Sequence, residues 1–171
     1  DEIWAKLLAK INSYFGGELL WGLPVGQGSL PTYSFYNNVD GFYFEVQSSE
    51  TDFNATQGSV SQYIDSWILD FRNSYNKSVY FGLNSPSIST AENITDEVIS
   101  SADPRFNASN VNLEIQDYFY DVYCAVLTSR DWISGVSSRG FYPVVKLTDF
   151  SSSVYGKPAL SRISFYNTIS H

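Results

Sequence analysis

The chain has few of the side chains on which most catalytic and metal sites depend. Its 171 residues include one histidine, one cysteine and no methionine. The histidine is His171, at the end of the chain, where side chains are ordinarily frayed. A Ser-His-Asp or Cys-His arrangement and a zinc site are therefore not expected, and the sequence predicts no catalytic residue, no metal and no cofactor.

Disulfides, membrane spans and nucleic-acid binding are disfavoured on similar grounds. Cys124 is the sole cysteine, so no intrachain disulfide can form, and its apolar surroundings in sequence predict a buried, unreactive thiol. No apolar run approaches the length of a membrane-spanning helix, so no span is predicted in this chain. The net charge is −8, and a surface so poor in cations disfavours contact with phosphates.

What the sequence has instead is a group of four N-glycosylation sequons, which begin at Asn54, Asn76, Asn93 and Asn107. The chain also begins at Asp1 without a methionine, as a mature product does after removal of a leader. These two features predict an extracellular or cell-surface location for a processed chain.

Hydrophobic spacing predicts two amphipathic helices. In residues 2–15 the apolar side chains recur three and four positions apart, and the pair Gly16-Gly17 ends the pattern. Residues 60–72 show the same spacing. Both segments are expected to pack one face against the rest of the molecule.

Alternating and β-branched stretches predict the strands. A hairpin is expected over residues 32–48, a short strand over 79–83, and two further strands near 140–149 and 159–168. Residues 18–32 are expected to form a loop, because Gly and Pro interrupt any periodic pattern there.

Two stretches decide the predicted architecture. Residues 84–110 are rich in Ser, Asn, Asp and Pro and are expected to form a surface excursion. Residues 111–128 fit both a helical stripe and a strand face, and their aromatic and β-branched side chains favour a strand. The prediction is a single α+β domain, an antiparallel sheet with two amphipathic helices packed on one face. This element order resembles the cone-shaped nuclear-transport-factor-like and cystatin-like folds.

The candidate ligand-binding residues lie in predicted loops. They are Trp21 and Trp132, the second of which stands beside Arg130 and Asp131. Exposed rings flanked by charged groups commonly bind sugars or partner proteins. The alternative is that each tryptophan fills one end of the core, since Trp is usually largely buried.

One pair of carboxylates is a weaker candidate. Asp117 and Asp121 are expected to share a face on either a helix or a strand. Glycoside hydrolysis uses two carboxyl groups about 5–9 Å apart, a separation that this spacing can supply. Many solvated surface pairs meet the same condition.

Taken together, these features predict a non-enzymatic extracellular glycoprotein domain, a binding, adhesive or assembly module for a carbohydrate or protein ligand. One alternative is a small-ligand pocket enzyme of cone-like α+β fold that uses Asp/Tyr acid–base chemistry. A second alternative is a subunit of an extracellular filament or capsid, in which exposed strand edges pair between copies and the chain self-associates.

Overall fold

A computed structural model describes residues 1–25, 30–47, 56–87, 111–141 and 151–169 of the chain. In these ranges helices and strands mostly alternate along the chain. In order they are α1 Glu2–Asn12, β1 Leu20–Pro24, a 3₁₀ turn Ser34–Asn38, β2 Gly41–Gln47, α2 Gln57–Tyr63, a π turn Ile64–Ile68, α3 Leu69–Tyr75, β3 Ser78–Asn84, α4 Leu113–Thr128, β4 Gly135–Ser138 and α5 Pro158–Ile169.

The four strands form one parallel sheet in the order β1-β2-β3-β4. The register pairs Phe44 of β2 with Leu23 of β1 and with Phe81 of β3, and Phe81 with Val136 of β4. Helices separate β2 from β3 and β3 from β4, as parallel neighbours require, because the chain must cross back before each new strand. The predicted antiparallel sheet is therefore wrong, and the cone-shaped folds that it suggested do not apply.

The predicted hairpin over residues 32–48 is also wrong. Its second half is β2, but its first half folds into the 3₁₀ turn. There Phe35 and Tyr36 are both buried in an aromatic cluster, with ring centroids 4.7 Å from Trp21 and 5.2 Å from Phe42 respectively. Packing of two consecutive rings needs a turn, since a strand would place them on opposite faces. The predicted loop at 18–32 contains β1.

Residues 111–128 form helix α4 and not the predicted strand. The side-chain oxygen of Asn112 accepts hydrogen bonds from the backbone N–H groups of Glu114 and Ile115, each at 3.1 Å, and so caps the helix. The helical stripe, which includes Phe119, is buried against the sheet, and this packing outweighs the β-propensity of the individual residues. The predicted burial of Cys124 is confirmed, and burial raises the pKa of its thiol to about 12.

The strand predicted at 159–168 lies in helix α5, and most of the one predicted at 140–149 falls outside the described residues. The strand predicted at 79–83 is confirmed as β3. At the start of the predicted excursion, Asn84 is the last residue of β3, and Asn84, Ser85 and Ser87 are buried. Residues 88–110 of the excursion fall outside the described residues.

The second predicted helix is present as the continuous stretch of α2, the π turn and α3. A capping box begins it: the N–H of Ser59 donates to Oγ1 of Thr56 at 3.2 Å, and the N–H of Thr56 donates to Oγ of Ser59 at 3.0 Å. Ile64, Ile68 and Phe71 recur at helical spacing and are buried against the sheet.

The first predicted helix is present as α1, but only half of its apolar face is covered. Leu8 is buried, and the ring of Trp4 packs edge-on against Trp21 with the centroids 5.0 Å apart. Ile3 and Leu7 remain 82% and 43% exposed. Helix α1 therefore has apolar surface that the described residues do not bury.

Candidate functional site

Parallel strands bring all their carboxyl ends to one edge of the sheet. In (β/α) folds this edge is where ligands and catalytic groups are found, because the loops that leave the strands converge there. In this chain Pro24, Gln47, Asn84 and Ser138 end the four strands at that edge. We call it the carboxyl edge, and the opposite one the amino edge.

The two faces of the sheet differ in what covers them. Helices cover one face, on which Phe42, Phe44, Val79 and Phe81 are fully enclosed. The other, which we call the inner face, carries by register Leu20, Gly22 and Pro24 of β1, Gly41, Tyr43, Glu45 and Gln47 of β2, Ser78, Tyr80, Gly82 and Asn84 of β3, Gly135 and Ser137 of β4, and Arg139 just beyond it.

An ion pair crosses the inner face near the carboxyl edge. Oε1 of Glu45 on β2 contacts Nη1 of Arg139, so the pair spans β3. In the sheet register Glu45 stands beside Gly82, which has no side chain of its own. The two side chains are 31% and 43% exposed. A pair this exposed adds at most about 1 kcal/mol to stability.

Tyr43 and Tyr80 share the inner face with this ion pair. A Cβ atom at Gly82 would lie 1.7 Å from Oη of Tyr43, which shows that the phenol group lies directly over this glycine. The hydroxyl of Tyr80 donates to Oε2 of Glu18 at 3.2 Å. Burial, followed by this hydrogen bond, raises the pKa of Tyr80, so its phenol stays protonated. Ring faces and hydroxyl groups thus lie next to charged groups on one surface.

A buried polar cluster fixes the chain behind the same edge. The amide of Gln116 on α4 donates to the carbonyl of Ser85 at 2.7 Å. The ammonium of Lys157 donates to Oγ of Ser87 at 3.0 Å and to the carbonyl of Ser151 at 2.9 Å. All five residues are buried. These hydrogen bonds join Ser85 and Ser87, which follow β3, to α4 and to the segment that precedes α5.

The predicted pair Asp117 and Asp121 lies on α4, away from the inner face. Arg162 of α5 binds both: its Nε and Nη2 donate to Asp117 at 3.0 and 2.9 Å, and its Nη1 to Asp121 at 3.3 Å. The hydroxyl of Tyr166 also donates to Asp121, at 3.1 Å. Hydrogen bonds and charge from Asp117, followed by the charge of Asp121, raise the pKa of Arg162. These contacts join helices α4 and α5.

The predicted tryptophans are not on the inner face. Trp21 lies in β1 within the aromatic cluster, and Trp132 is half-buried against the core. Arg130 binds Asp65 through two hydrogen bonds of 2.8 and 2.7 Å, which lower the pKa of that carboxyl group and join the segment after α4 to the π turn. Asp131 is exposed. Residues 130–132 precede β4 and so stand at the amino edge.

Among the four sequons the structure describes Asn76, while Asn54, Asn93 and Asn107 fall outside the described residues. Asn76 is exposed and ends α3 in the left-handed conformation, with φ of 51°. Asparagine adopts this conformation more readily than most residues do.

Within the described ranges no group of three or more His, Cys, Asp or Glu side chains is placed to hold a metal ion. In the same ranges no helix has the length and apolarity needed to cross a bilayer.

The residues of the inner face were missed by the sequence analysis because the antiparallel interpretation gave them no common edge. A signal was present in β2, where Tyr43, Glu45 and Gln47 alternate with Phe42, Phe44 and Val46. Combined with a repeat of strand and helix, this alternation predicts one polar strand face that ends at the carboxyl edge.

Comparison with known proteins identifies the fold. No protein-family model matches the chain, and no curated protein matches it significantly. Among solved structures, a GH113 β-1,4-mannanase superposes with a TM-score of 0.71 at 18% identity, covering 98% of this chain and 51% of the mannanase. The GH113 β-mannanase of Alicyclobacillus acidocaldarius gives 0.71 at 16%, covering 99% and 51%. A β-glucuronidase of Ruminococcus gnavus gives 0.61 at 9%, covering 98% and 29%.

At these identities the likeness establishes the fold: consecutive parallel β/α units arranged as in part of a (β/α)₈ barrel. The chain spans about half the length of the mannanases that it matches. The expected non-enzymatic binding, adhesive or assembly module is overturned by this likeness. Of the earlier alternatives, a pocket enzyme agrees better with these neighbours, although its cone-like fold is wrong.

Proposed function

We propose that this chain supplies half of the site of a glycoside-hydrolase-type barrel and binds a sugar at the carboxyl edge of its inner face. The observation that carries the proposal is the ion pair of Glu45 and Arg139, which stands at that edge on the inner face. Barrel enzymes place their reacting groups at this edge. The solved structures with this fold are named as mannanases and β-glucuronidases, which favours a carbohydrate as the ligand.

The side chains on the inner face suit a sugar. The carboxylate of Glu45 accepts hydrogen bonds from hydroxyl groups, and the guanidinium of Arg139 donates them. The ring of Tyr43 gives a flat apolar surface on which the face of a pyranose can pack, while its hydroxyl adds a polar contact. Because Arg139 lies against Glu45, the carboxylate is held in place before a ligand arrives.

Charge favours a neutral sugar over a uronic acid. Glu45 and Glu18 both border the inner face, and the chain as a whole carries a net charge of −8. A sugar carboxylate would meet this negative potential and would compete with Glu45 for Arg139. We therefore propose a β-1,4-linked neutral hexose chain, the class named for the mannanases, as the ligand.

Hydrolysis of such a ligand requires two carboxyl groups. Retaining enzymes separate them by about 5–5.5 Å and inverting enzymes by about 6.5–9.5 Å. Glu45 is the carboxylate that the described part of the inner face offers at the carboxyl edge. In this proposal the second one is contributed from outside the described residues, so full hydrolytic activity needs a completed barrel.

Calorimetric titration of the chain with β-1,4-mannohexaose tests the proposal. Binding is expected, and Glu45→Gln should weaken it at least about tenfold, because an amide cannot replace both acceptor positions of the carboxylate. The matched control is Asp131→Asn, which removes an exposed carboxylate at the amino edge and should leave binding unchanged. Absence of binding, or a loss with the control variant instead, would overturn the proposed site.

The extracellular location stays a proposal, and the structure offers one favourable feature. Asn76 is exposed between α3 and β3 and therefore lies at the amino edge, where a glycan would not obstruct the proposed sugar site. Intact mass of the chain from its native source, before and after enzymatic glycan removal, tests this. An unmodified native chain would remove the support that the sequons give.

A further inference from the structure

The end of α3 and the start of β3 carry the sequon that the structure describes, Asn76-Lys77-Ser78. N-glycosylation joins C1 of a sugar to Nδ2 of the asparagine while the bond from C1 to a lipid pyrophosphate breaks, and the amide nitrogen gives up one proton. The motif requires the asparagine and a hydroxyl residue two positions later, so the transferase must contact both side chains together. We call residues 75–78 the α3–β3 corner.

The asparagine of this sequon has an accessible side chain and a fixed backbone. Asn76 is exposed, and it adopts the left-handed conformation with φ and ψ both 51°. Its N–H donates to the carbonyl of Arg72 at 2.7 Å, which closes the last turn of α3. An enzyme can reach the side chain, but the backbone belongs to the end of the helix.

The middle residue is bound to a distant part of the chain. The ammonium of Lys77 donates to the carbonyl of Asn37 at 3.1 Å and to that of Val39 at 2.6 Å. Both acceptors lie at the end of the 3₁₀ turn, 40 and 38 residues earlier in the sequence. These two hydrogen bonds hold the α3–β3 corner against the segment that leads into β2.

The hydroxyl residue is part of the sheet. Ser78 is the first residue of β3 and pairs with Gly41 of β2. A Cβ atom at Gly41 would lie 2.8 Å from the carbonyl oxygen of Ser78 and 3.3 Å from its Cβ, so the two strands are closely packed here. The side chain of Ser78 is close enough to the phenol of Tyr80 to form a hydrogen bond with it. The sequon therefore has its asparagine at the surface and its hydroxyl on the inner face of the sheet.

We propose that a transferase can modify Asn76 only before the α3–β3 corner folds or while it is locally open. To present both side chains to one enzyme site, the chain must break the helix-end hydrogen bond of Asn76, the two hydrogen bonds of Lys77 and the first pairing of β3. Local opening gives a minor population in a folded protein, so the folded chain reacts in proportion to its open fraction.

A glycan added before folding is compatible with the folded chain, because the side chain of Asn76 is exposed there. A glycan at this position would therefore record that the chain met the transferase before the α3–β3 corner closed. The inference goes beyond the proposed sugar site and does not depend on it.

Modification of the folded chain by a purified oligosaccharyltransferase and a lipid-linked oligosaccharide tests the inference. Three substitutions first remove the sequons outside the described residues: Asn54→Gln, Asn93→Gln and Asn107→Gln. The sequence Asn-Ala-Thr, appended after His171, serves as an acceptor that the corner does not constrain. Mass spectrometry follows both acceptors in the same molecule, and a peptide of residues 70–84 gives the rate at Asn76 without the fold.

The folded chain should be modified at Asn76 at least about tenfold more slowly than the peptide. The appended acceptor should react readily and so show that the enzyme is active on the chain. Equal rates at Asn76 in the folded chain and in the peptide would overturn the inference. A peptide that is not modified would also overturn it, because the fold would then not be what limits the reaction.

Hydrogen exchange measures the open fraction independently. Because the N–H of Asn76 is bonded to Arg72 in the closed corner, its exchange rate divided by that of an unprotected amide gives the fraction of molecules in which this bond is open. The ratio of modification rates, folded chain over peptide, should not exceed this fraction. A ratio well above it would show that the closed corner is itself an acceptor, and would overturn the inference.

Removal of the Lys77 hydrogen bonds should open the corner. Lys77→Met keeps the apolar stem of the side chain and removes its donors, so the ratio of modification rates should rise at least about threefold. This ratio is taken against a peptide with the same substitution, since residue 77 belongs to the sequon. The matched control is Lys6→Met, which makes the same change at an exposed lysine of α1 and should leave the ratio unchanged. A ratio that Lys77→Met leaves unchanged, or that Lys6→Met raises equally, would overturn the proposed role of the corner, whether or not the chain binds sugar.

Discussion

The two faces of one sheet have opposite characters in this chain, although their residues alternate along the same strands. On the helix-covered face of β2 and β3, Phe42, Phe44, Val79 and Phe81 are fully enclosed. On the inner face the neighbouring positions carry tyrosine, glutamate and glycine, and the charged pair remains partly exposed. The comparison indicates that one face supplies the stability of the fold, while the charged pair on the other is in contact with solvent.

Truncation of a ring on each face should give the largest contrast. Phe44 is fully buried and stacks on Phe81 with the centroids 5.6 Å apart, so Phe44→Ala should lower the free energy of unfolding by about 3–5 kcal/mol. Tyr43→Ala, one residue away on the inner face, should cost less than half as much. Urea unfolding of both variants checks this. Equal losses would mean that the inner face is packed as closely as the core.

Glycine positions on the inner face should differ in the same way. A Cβ at Gly82 would overlap the phenol of Tyr43, whereas one at Gly22 meets nothing within 4 Å. Gly82→Ala should therefore cost about 1–3 kcal/mol of stability through overpacking, and Gly22→Ala should have little effect. The cost at Gly82 should shrink in the double variant Gly82→Ala/Tyr43→Ala. Additive losses in this double-mutant cycle would show that the two residues are not in contact.

Alkaline pH should lower the free energy of unfolding through three buried groups. Burial raises the pKa of Cys124 from 9.0 to about 12 and that of Tyr36 from 10.0 to about 12, and it also raises the pKa of Tyr120. All three groups are neutral when protonated, and the unfolded chain releases their protons at a lower pH than the folded chain does. Their contribution to the free energy of unfolding is therefore complete below about pH 9 and is lost as the pH rises toward about 12.

Unfolding free energies at about pH 8 and about pH 10 measure this effect. We expect a fall between the two values, and a smaller fall in Cys124→Val, which removes the most acidic of the three groups in the unfolded chain. A free energy of unfolding that stays constant or rises over this interval would contradict the burial of these groups.

The smallest effect on stability is expected for the charged pair. Glu45→Gln and Arg139→Gln should each change the free energy of unfolding by less than about 1 kcal/mol, because both side chains are partly exposed to solvent. A much larger loss in thermal or urea unfolding would show that the pair stabilises the fold, and would weaken the interpretation that it is presented for a ligand.

Parts of this structure could be predicted from the sequence, and they share a physical property. The helices at α1 and α2–α3 and the strand β3 were predicted because hydrophobic periodicity is a local signal. Cys124 was placed in the core because its neighbours are apolar. In each case the information lies within one short segment.

What the sequence analysis missed depends on contacts between segments. Helix α4 has strand-forming residues and becomes helical because its stripe packs on the sheet and Asn112 caps its start. Whether β2 and β3 run parallel or antiparallel is decided by the helical crossover between them, and not by either strand alone. The inner-face pair joins residues 45 and 139, which only the parallel register brings together. Without that register the sequence favoured the loop tryptophans as site candidates.

The proposed location of the sugar site is tested most directly by amide chemical-shift mapping of the isotopically labelled chain during titration with β-1,4-mannohexaose. The account predicts that the shifts concentrate on Glu45, Gly82, Asn84 and Arg139, which share the carboxyl edge of the inner face. Shifts centred on Trp132 and its neighbours at the amino edge, or no shifts at all, would contradict it.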